Sequence, residues 1–289
     1  MLSFALTVLL DGISYGMILF LISVGLTVTM GLMRVVNLAH GSFAMIGGYV
    51  AGYITQNGGN FYVSVLAAAL VAAVLGALAE VTIYRPLYRK GELSQVLLTI
   101  GIVFVMTGTI TQIFGAFPYP VVFPDYLTKP INIGFREYPA YRLFLIAVGA
   151  VVAAVLWFLV ENSIYGARLR AAVDNARMAR AVGMDVSVLF MGTFVVGSAL
   201  TGFSGAIGAG ILSLEPSYAL KYIVLFLVVV AVGGEGSFQG SFVAAMALGI
   251  IDTVGKYFAP LAAPYLLYAA VFLLLLWRPK GLLPPKSVA

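Results

Sequence analysis

The chain contains no cysteine and only one histidine, His40. The first absence excludes disulfides, thiolate nucleophiles and cysteine metal sites. The second excludes a histidine-built metal centre. Charge is also scarce: Asp, Glu, Lys and Arg make up 9% of the 289 residues, against about 25% in a soluble domain. There is no phosphate-binding Gly-x4-Gly-Lys-Ser/Thr run, so the chain is not itself a P-loop ATPase. No converging acids mark a hydrolytic centre. No catalytic residue, metal or cofactor is therefore expected, and a membrane enzyme is disfavoured.

What is present is apolar. Hydrophobic residues make up 62% of the chain and the mean hydropathy is +1.06. Spanning a bilayer as a helix takes roughly 20 apolar residues. Runs free of Asp, Glu, Lys and Arg cover 12–33, 41–79, 93–124, 143–160, 186–214, 222–234, 236–251 and 257–277. The turn TQNGGN (55–60) divides the longest run, which gives eight to nine apolar segments. The ones near Gly41 and Tyr222 are short, so a half-helix is an equal possibility. The runs are continuous rather than alternating, which excludes a β-barrel. The fold expected is an all-α polytopic transmembrane bundle forming one domain over 1–289. The first span carries Asp11 and lacks a basic leader, so it is expected to stay in the membrane.

Basic residues orient such a bundle. Arg34, Arg85, Arg89, Lys90, Arg168, Arg170, Arg177, Arg180, Arg278, Lys280 and Lys286 fall between spans on one side, eleven of the sixteen cations. That side is expected to be cytoplasmic, with the proline-rich loop 117–141 outside. Their scatter between apolar runs argues against nucleic acid as a partner.

Two stretches repeat a pattern. VNLAHGSFAMIGGYVAG (36–52) and GGEGSFQGSFVAAMALG (233–249) each place Gly-Ser-Phe just after an ionisable residue, and each is followed by two apolar runs and an Arg-Pro. Ser42 to Arg85 is 43 positions and Ser237 to Arg278 is 41. The spacing suggests a degenerate parallel repeat, a common transporter build. A helix starting within the bilayer offers unpaired N–H groups to a polar solute, so Asn37, His40, Ser42 and Ser237 are candidate path residues. The competing reading has His40 bonding a neighbouring helix. Small residues at Gly12/Gly16, Gly48/Gly52 and Gly205/Ala209 are expected at helix crossings. Asp252 and Lys256, four apart, are expected to pair on one helix face.

The stretch ENSIYGARLRAAVDNARMARAVGMDV (161–186) is polar and basic. Asp174 or Asn175 is expected to cap a short helix and Gly183 to stop it.

In sequence order, VNLAHGSFAMIGGYVA, YGARLRAAVDNARMARAVGMDV, VGGEGSFQGSFVAA and LLLLWRPKGLLP resemble the branched-chain amino acid permease family of ABC importers, the LivH type. The resemblance covers nearly the whole chain. It implies a bacterial or archaeal inner-membrane importer with a second, often different, permease subunit, two ATP-binding cassette ATPases and a separate substrate-binding protein. It implies that the cytoplasmic loop 161–185 docks on an ATPase through Asn175, Met178, Ala179 and Gly183, with Arg170 nearby. Permeases for urea, amides or other small organic solutes have similar subunits. An ion-coupled secondary transporter, a reading from another class, would need more ionisable residues at the midplane.

Overall fold

The computed structural model describes residues 2–33, 37–87, 90–134 and 136–283. Arg34, Arg89 and Lys286 of the basic set lie outside the described residues. In chain order the elements are α1 (Leu2–Met33), α2 (His40–Gln56), α3 (Phe61–Ala79), a π turn (Glu80–Tyr84) leading into α4 (Arg85–Leu87), α5 (Glu92–Phe114), α6 (Asp125–Thr128), β1 (Pro130–Asn132), β2 (Glu137–Pro139), α7 (Ala140–Glu161), α8 (Ile164–Asp174), α9 (Ala176–Ala181), α10 (Val186–Gly208), α11 (Tyr218–Gly233), α12 (Phe238–Phe258) and α13 (Ala263–Trp277). Six helices are long and apolar enough to cross a membrane, and α11 and α13 are shorter apolar helices. The molecule is a polytopic helical membrane bundle. The antiparallel pair β1–β2 is the one departure from an all-α fold among the described residues.

Side chains at segment boundaries set where the helices start. Asn60 accepts from Tyr62 N at 2.8 Å and begins α3. Asp185 accepts from Ser187 N at 3.0 Å and Val188 N at 3.1 Å at the start of α10. Ser237 accepts from Gly240 N at 3.0 Å at the start of α12. Each side chain satisfies N–H groups that a helix leaves unpaired in its first turn.

Two long helices form the centre. α1 packs antiparallel to α12, where Gly12 and Gly16 lie against Gly249, Ile250 and Ala245. α10 crosses α2 and α3 at similar range: a side chain on Gly205 would collide with the Ala44 carbonyl, and one on Gly47 with Gly202. α1 and α10 meet each other at Gly25 and Gly197. Without a hydrophobic drive between helices in lipid, such small-residue crossings supply packing and close backbone approach. Of the small pairs expected from sequence, Gly12/Gly16 and Gly205 line crossings. Gly48 faces both the Gly205 carbonyl of α10 and Leu214, whereas Gly52 makes room for Tyr119.

The bundle has two ends. At one, β1–β2 covers the start of α1; at the other lie α8, α9 and the segment after α13. Among the candidate spans α5 and α7 are the least enclosed, 17% buried each, so they flank the bundle.

Candidate functional site

Three regions bear on function. The first is the basic end. Ser163 caps α8 by accepting from Gly166 N at 3.1 Å. The Arg170 guanidinium donates to the Val160 carbonyl and lies 3.9 Å from Glu161 Oε2, tying α8 to the end of α7. Asn175, rather than Asp174, starts α9: its Oδ1 accepts from Met178 N at 2.9 Å. Gly183 ends the helix at φ +84°, and Met184 N closes back on the Ala179 carbonyl at 3.0 Å. That backbone conformation suits glycine because it has no Cβ.

Ala179 is buried against Ala172 and Val186 inside the chain. It therefore holds the loop's shape and does not offer its side chain to a partner's groove. Met178 in α9 and Val182 just after it, 60% and 66% exposed, present apolar side chains outward beside Arg177 and Arg180.

The second region lies deep in the bundle, where α2 begins. His40 Nε2 sits 3.0 Å from the Ile22 carbonyl and 2.7 Å from Thr201 Oγ1. A carbonyl only accepts, so Nε2 carries the proton. Thr201 donates its own proton to the Gly197 carbonyl at 2.8 Å. His40 thus joins α2 to α1 and α10. Asn37 Oδ1 accepts from Ala39 N at 3.0 Å and from the Tyr84 hydroxyl at 2.8 Å, linking this junction to the π turn. Asn37 Nδ2, Ser42 Oγ and Ser23 Oγ are buried without a hydrogen-bond partner among the described residues. Ser237 stands apart as the cap of α12.

The third region is the outward face of α5. Its buried side carries Gln95, Thr99, Val103 and Ile110. On the opposite side Ser94, Gly101, Gly108 and Gln112 fall within about 40° of one another. All four are exposed, and side chains added at Gly101 or Gly108 would meet nothing within 4 Å. Val105 and Leu97, 65% and 62% exposed, share that side, so the small residues alternate there with bulky ones. Sequence reading missed this face, although its seven-residue spacing of small residues is visible in the chain.

Opposite the basic end, Asp11 is bound from three sides. It pairs with Arg142 and accepts from the hydroxyls of Tyr138 and Tyr257, each at 2.7 Å. Burial first, then the bond to Asp11, pushes the Tyr138 phenol up from its ordinary value. The cluster fastens α1, β2, α7 and α12 together. Asp252 and Lys256 pair at 2.5 Å as their spacing predicts.

A multi-span bundle with deep helix starts, glycine crossings and a basic connecting loop has the build of a solute permease. The family described as branched-chain amino acid transport system / permease component matches residues 8–276. The chain belongs to that family. It is 24% identical to the probable branched-chain amino acid transport permease protein LivH of Methanocaldococcus jannaschii, over 97% of this chain and 91% of that protein. It is also 24% identical to the permease protein BraD of Pseudomonas aeruginosa, over 95% of this chain and 94% of that protein. With LivM of Escherichia coli the identity is 26%, over 93% of this chain and 68% of LivM. Among solved structures, PsaBC from Streptococcus pneumoniae in complex with Fab shares the fold, with a TM-score of 0.50 and 15% identity over 97% of this chain and 91% of that one.

Proposed function

We propose that the chain is the membrane-spanning permease subunit of an ATP-driven importer for branched-chain or chemically similar amino acids. The observation that carries this reading is the match of the family across residues 8–276. In the proposed assembly it sits in the inner membrane of a bacterium or archaeon beside a second permease subunit. Two ATPases dock on the basic end, and a substrate-binding protein docks on the end that carries β1–β2.

The proposed topology has nine crossings, counting α2, α11 and α13, with the N-terminus outside and the C-terminus inside. Cations near Arg85, Arg168 to Arg180 and Arg278 support that orientation. The hairpins α2–α3 and α12–α13 each start at a Gly-Ser-Phe and lead to an Arg-Pro, which supports the parallel repeat. Their covering helices, α10 and α1, run in opposite directions, so the repeat is confined to the hairpins.

The translocation path is assigned to the region where the first turns of α2 and α11 meet α5, and the outward face of α5, with its glycines and Gln112, is assigned to the side turned toward the second permease subunit. Asn37, His40 and Ser42 lie behind that face and would bias how α2 sits against α1 and α10. The unpaired donors of Asn37 and Ser42 suit an element with a second arrangement. Coupling to the ATPase is assigned to α8–α9, with Met178 and Val182 as the packing residues and Arg170, Asn175 and Gly183 fixing the loop. The test is reconstitution of the chain with its ATPases and binding protein in proteoliposomes. ATP-dependent leucine uptake supports the reading; leucine uptake driven by an ion gradient without ATP contradicts it.

A further inference from the structure

Glu215 and Lys221 form an ion pair at 2.5 Å, with their side chains 24% and 48% exposed. Their place in the fold is unusual for exposed charges. Ala219, between them in sequence, clusters with Ala39 and with Val103. Val103 is the midpoint of α5, eleven residues from each end, or about 16 Å along a helix. A side chain on Gly41, in the first turn of α2, would reach Ala219 Cα at 3.2 Å. The first turns of α2 and α11 therefore meet halfway along the bundle. The loop that leads into α11 descends beside α2, with Leu214 against Gly48 and its carbonyl accepting from Tyr119 N at 2.9 Å.

An exposed Lys–Glu pair at that depth cannot rest against hydrocarbon. Ionisable groups within a membrane face other protein or a water-filled cavity. The Lys221 ammonium also lies 5.4 Å from the Tyr222 ring centroid. Beside the pair, the buried hydroxyls of Tyr49 and Tyr218 have no hydrogen-bond partner among the described residues. The first turn of α11 adds the positive end of a helix dipole on the same side as Lys221.

We propose that Glu215 and Lys221 form a way station for zwitterionic α-amino acids in the translocation path. Glu215 receives the α-ammonium group and Lys221 the α-carboxylate, and the two side chains neutralise each other when the site is empty. The inference rests on the reading of the chain as an amino-acid permease subunit. A pair that exchanges partners with the solute keeps the path free of net charge in both states. It favours solutes carrying both charges over analogues carrying one.

The native chain has no cysteine, so Lys221→Cys offers a single reactive position in this subunit. In the complete importer in proteoliposomes, the wild-type complex treated with the same reagents is the control. Lys221→Cys should lower leucine uptake at least tenfold while the subunits still copurify. Modification with 2-aminoethyl methanethiosulfonate restores an ammonium group and should recover most of the uptake. Modification with the negatively charged 2-sulfonatoethyl reagent should recover none. Glu215→Gln should lower leucine uptake to a similar degree, and Lys221→Arg should keep it within about threefold of wild type. Wild-type uptake by Lys221→Cys, equal rescue by both reagents, or no modification by either reagent overturns the site. If the wild-type complex fails to move leucine, the proposed function falls. The site is then judged on labelling alone, with modification by both water-soluble reagents supporting a wet passage and its absence overturning it.

Discussion

Met178 and Ala179 are adjacent in sequence and face opposite ways, one 60% and the other 3% exposed. Substitutions at the two should therefore fail differently. Met178→Glu places a charge on the outward face, so the bundle should fold and insert normally while copurification with the ATPases drops at least tenfold. Ala179→Glu forces a charge between Ala172 and Val186, at a cost of several kcal/mol. It should lower the thermal stability of the isolated permease in detergent. Equal behaviour in both assays would contradict the division of roles. At the α2 start, Thr201→Val removes one of the two oxygens at His40 Nε2. Nε2 keeps the Ile22 carbonyl, so the expected loss is about 0.5–1.5 kcal/mol, read as a lower midpoint of thermal unfolding. The cap and stop of α9 were legible because Asn175 and Gly183 act through their own backbone preferences. The inward turn of Ala179 was not, because it depends on where α8 and α10 sit.

At the scale of elements, α5 shows how a helix face reports its surroundings. Gly101→Phe and Gly108→Phe fill open space in the single chain and should leave its folding unchanged. They should block assembly with the second permease or close the path, lowering uptake at least tenfold. Leu66→Phe, on an exposed face that already carries bulk, should keep wild-type uptake. Asn175→Ala should cost about 1 kcal/mol by leaving the first turn of α9 uncapped, measurable as faster proteolysis within 161–185. Sequence reading left α11 open between a full span and a half-helix, for a physical reason. Glu215 and Lys221 looked like boundaries between spans, because charges normally mark where a helix leaves the membrane. The clue was the charge-free run 222–234, too short to cross alone. The π turn at Glu80–Tyr84 left no local signal, since its residues are ordinary helix and strand formers. Its position is fixed by the Tyr84–Asn37 bond and by the Arg85–Glu80 pair at 3.0 Å.

Across the whole molecule, composition and charge-free runs were enough to identify a helical membrane bundle, because lipid requires every backbone group to be paired within its own helix. They could not separate full spans from half-helices, because α2 and α11 start inside the bundle against partners distant in sequence. The orientation is checked by labelling single cysteines in intact cells: Arg180→Cys should be protected from an impermeant reagent and Thr128→Cys should react. The most direct test of the central claim is leucine uptake by the reconstituted complex, with and without ATP on the side of α8–α9. The account predicts uptake that requires this chain, its ATPases and ATP together. Uptake that persists without ATP, or without this chain, would contradict it.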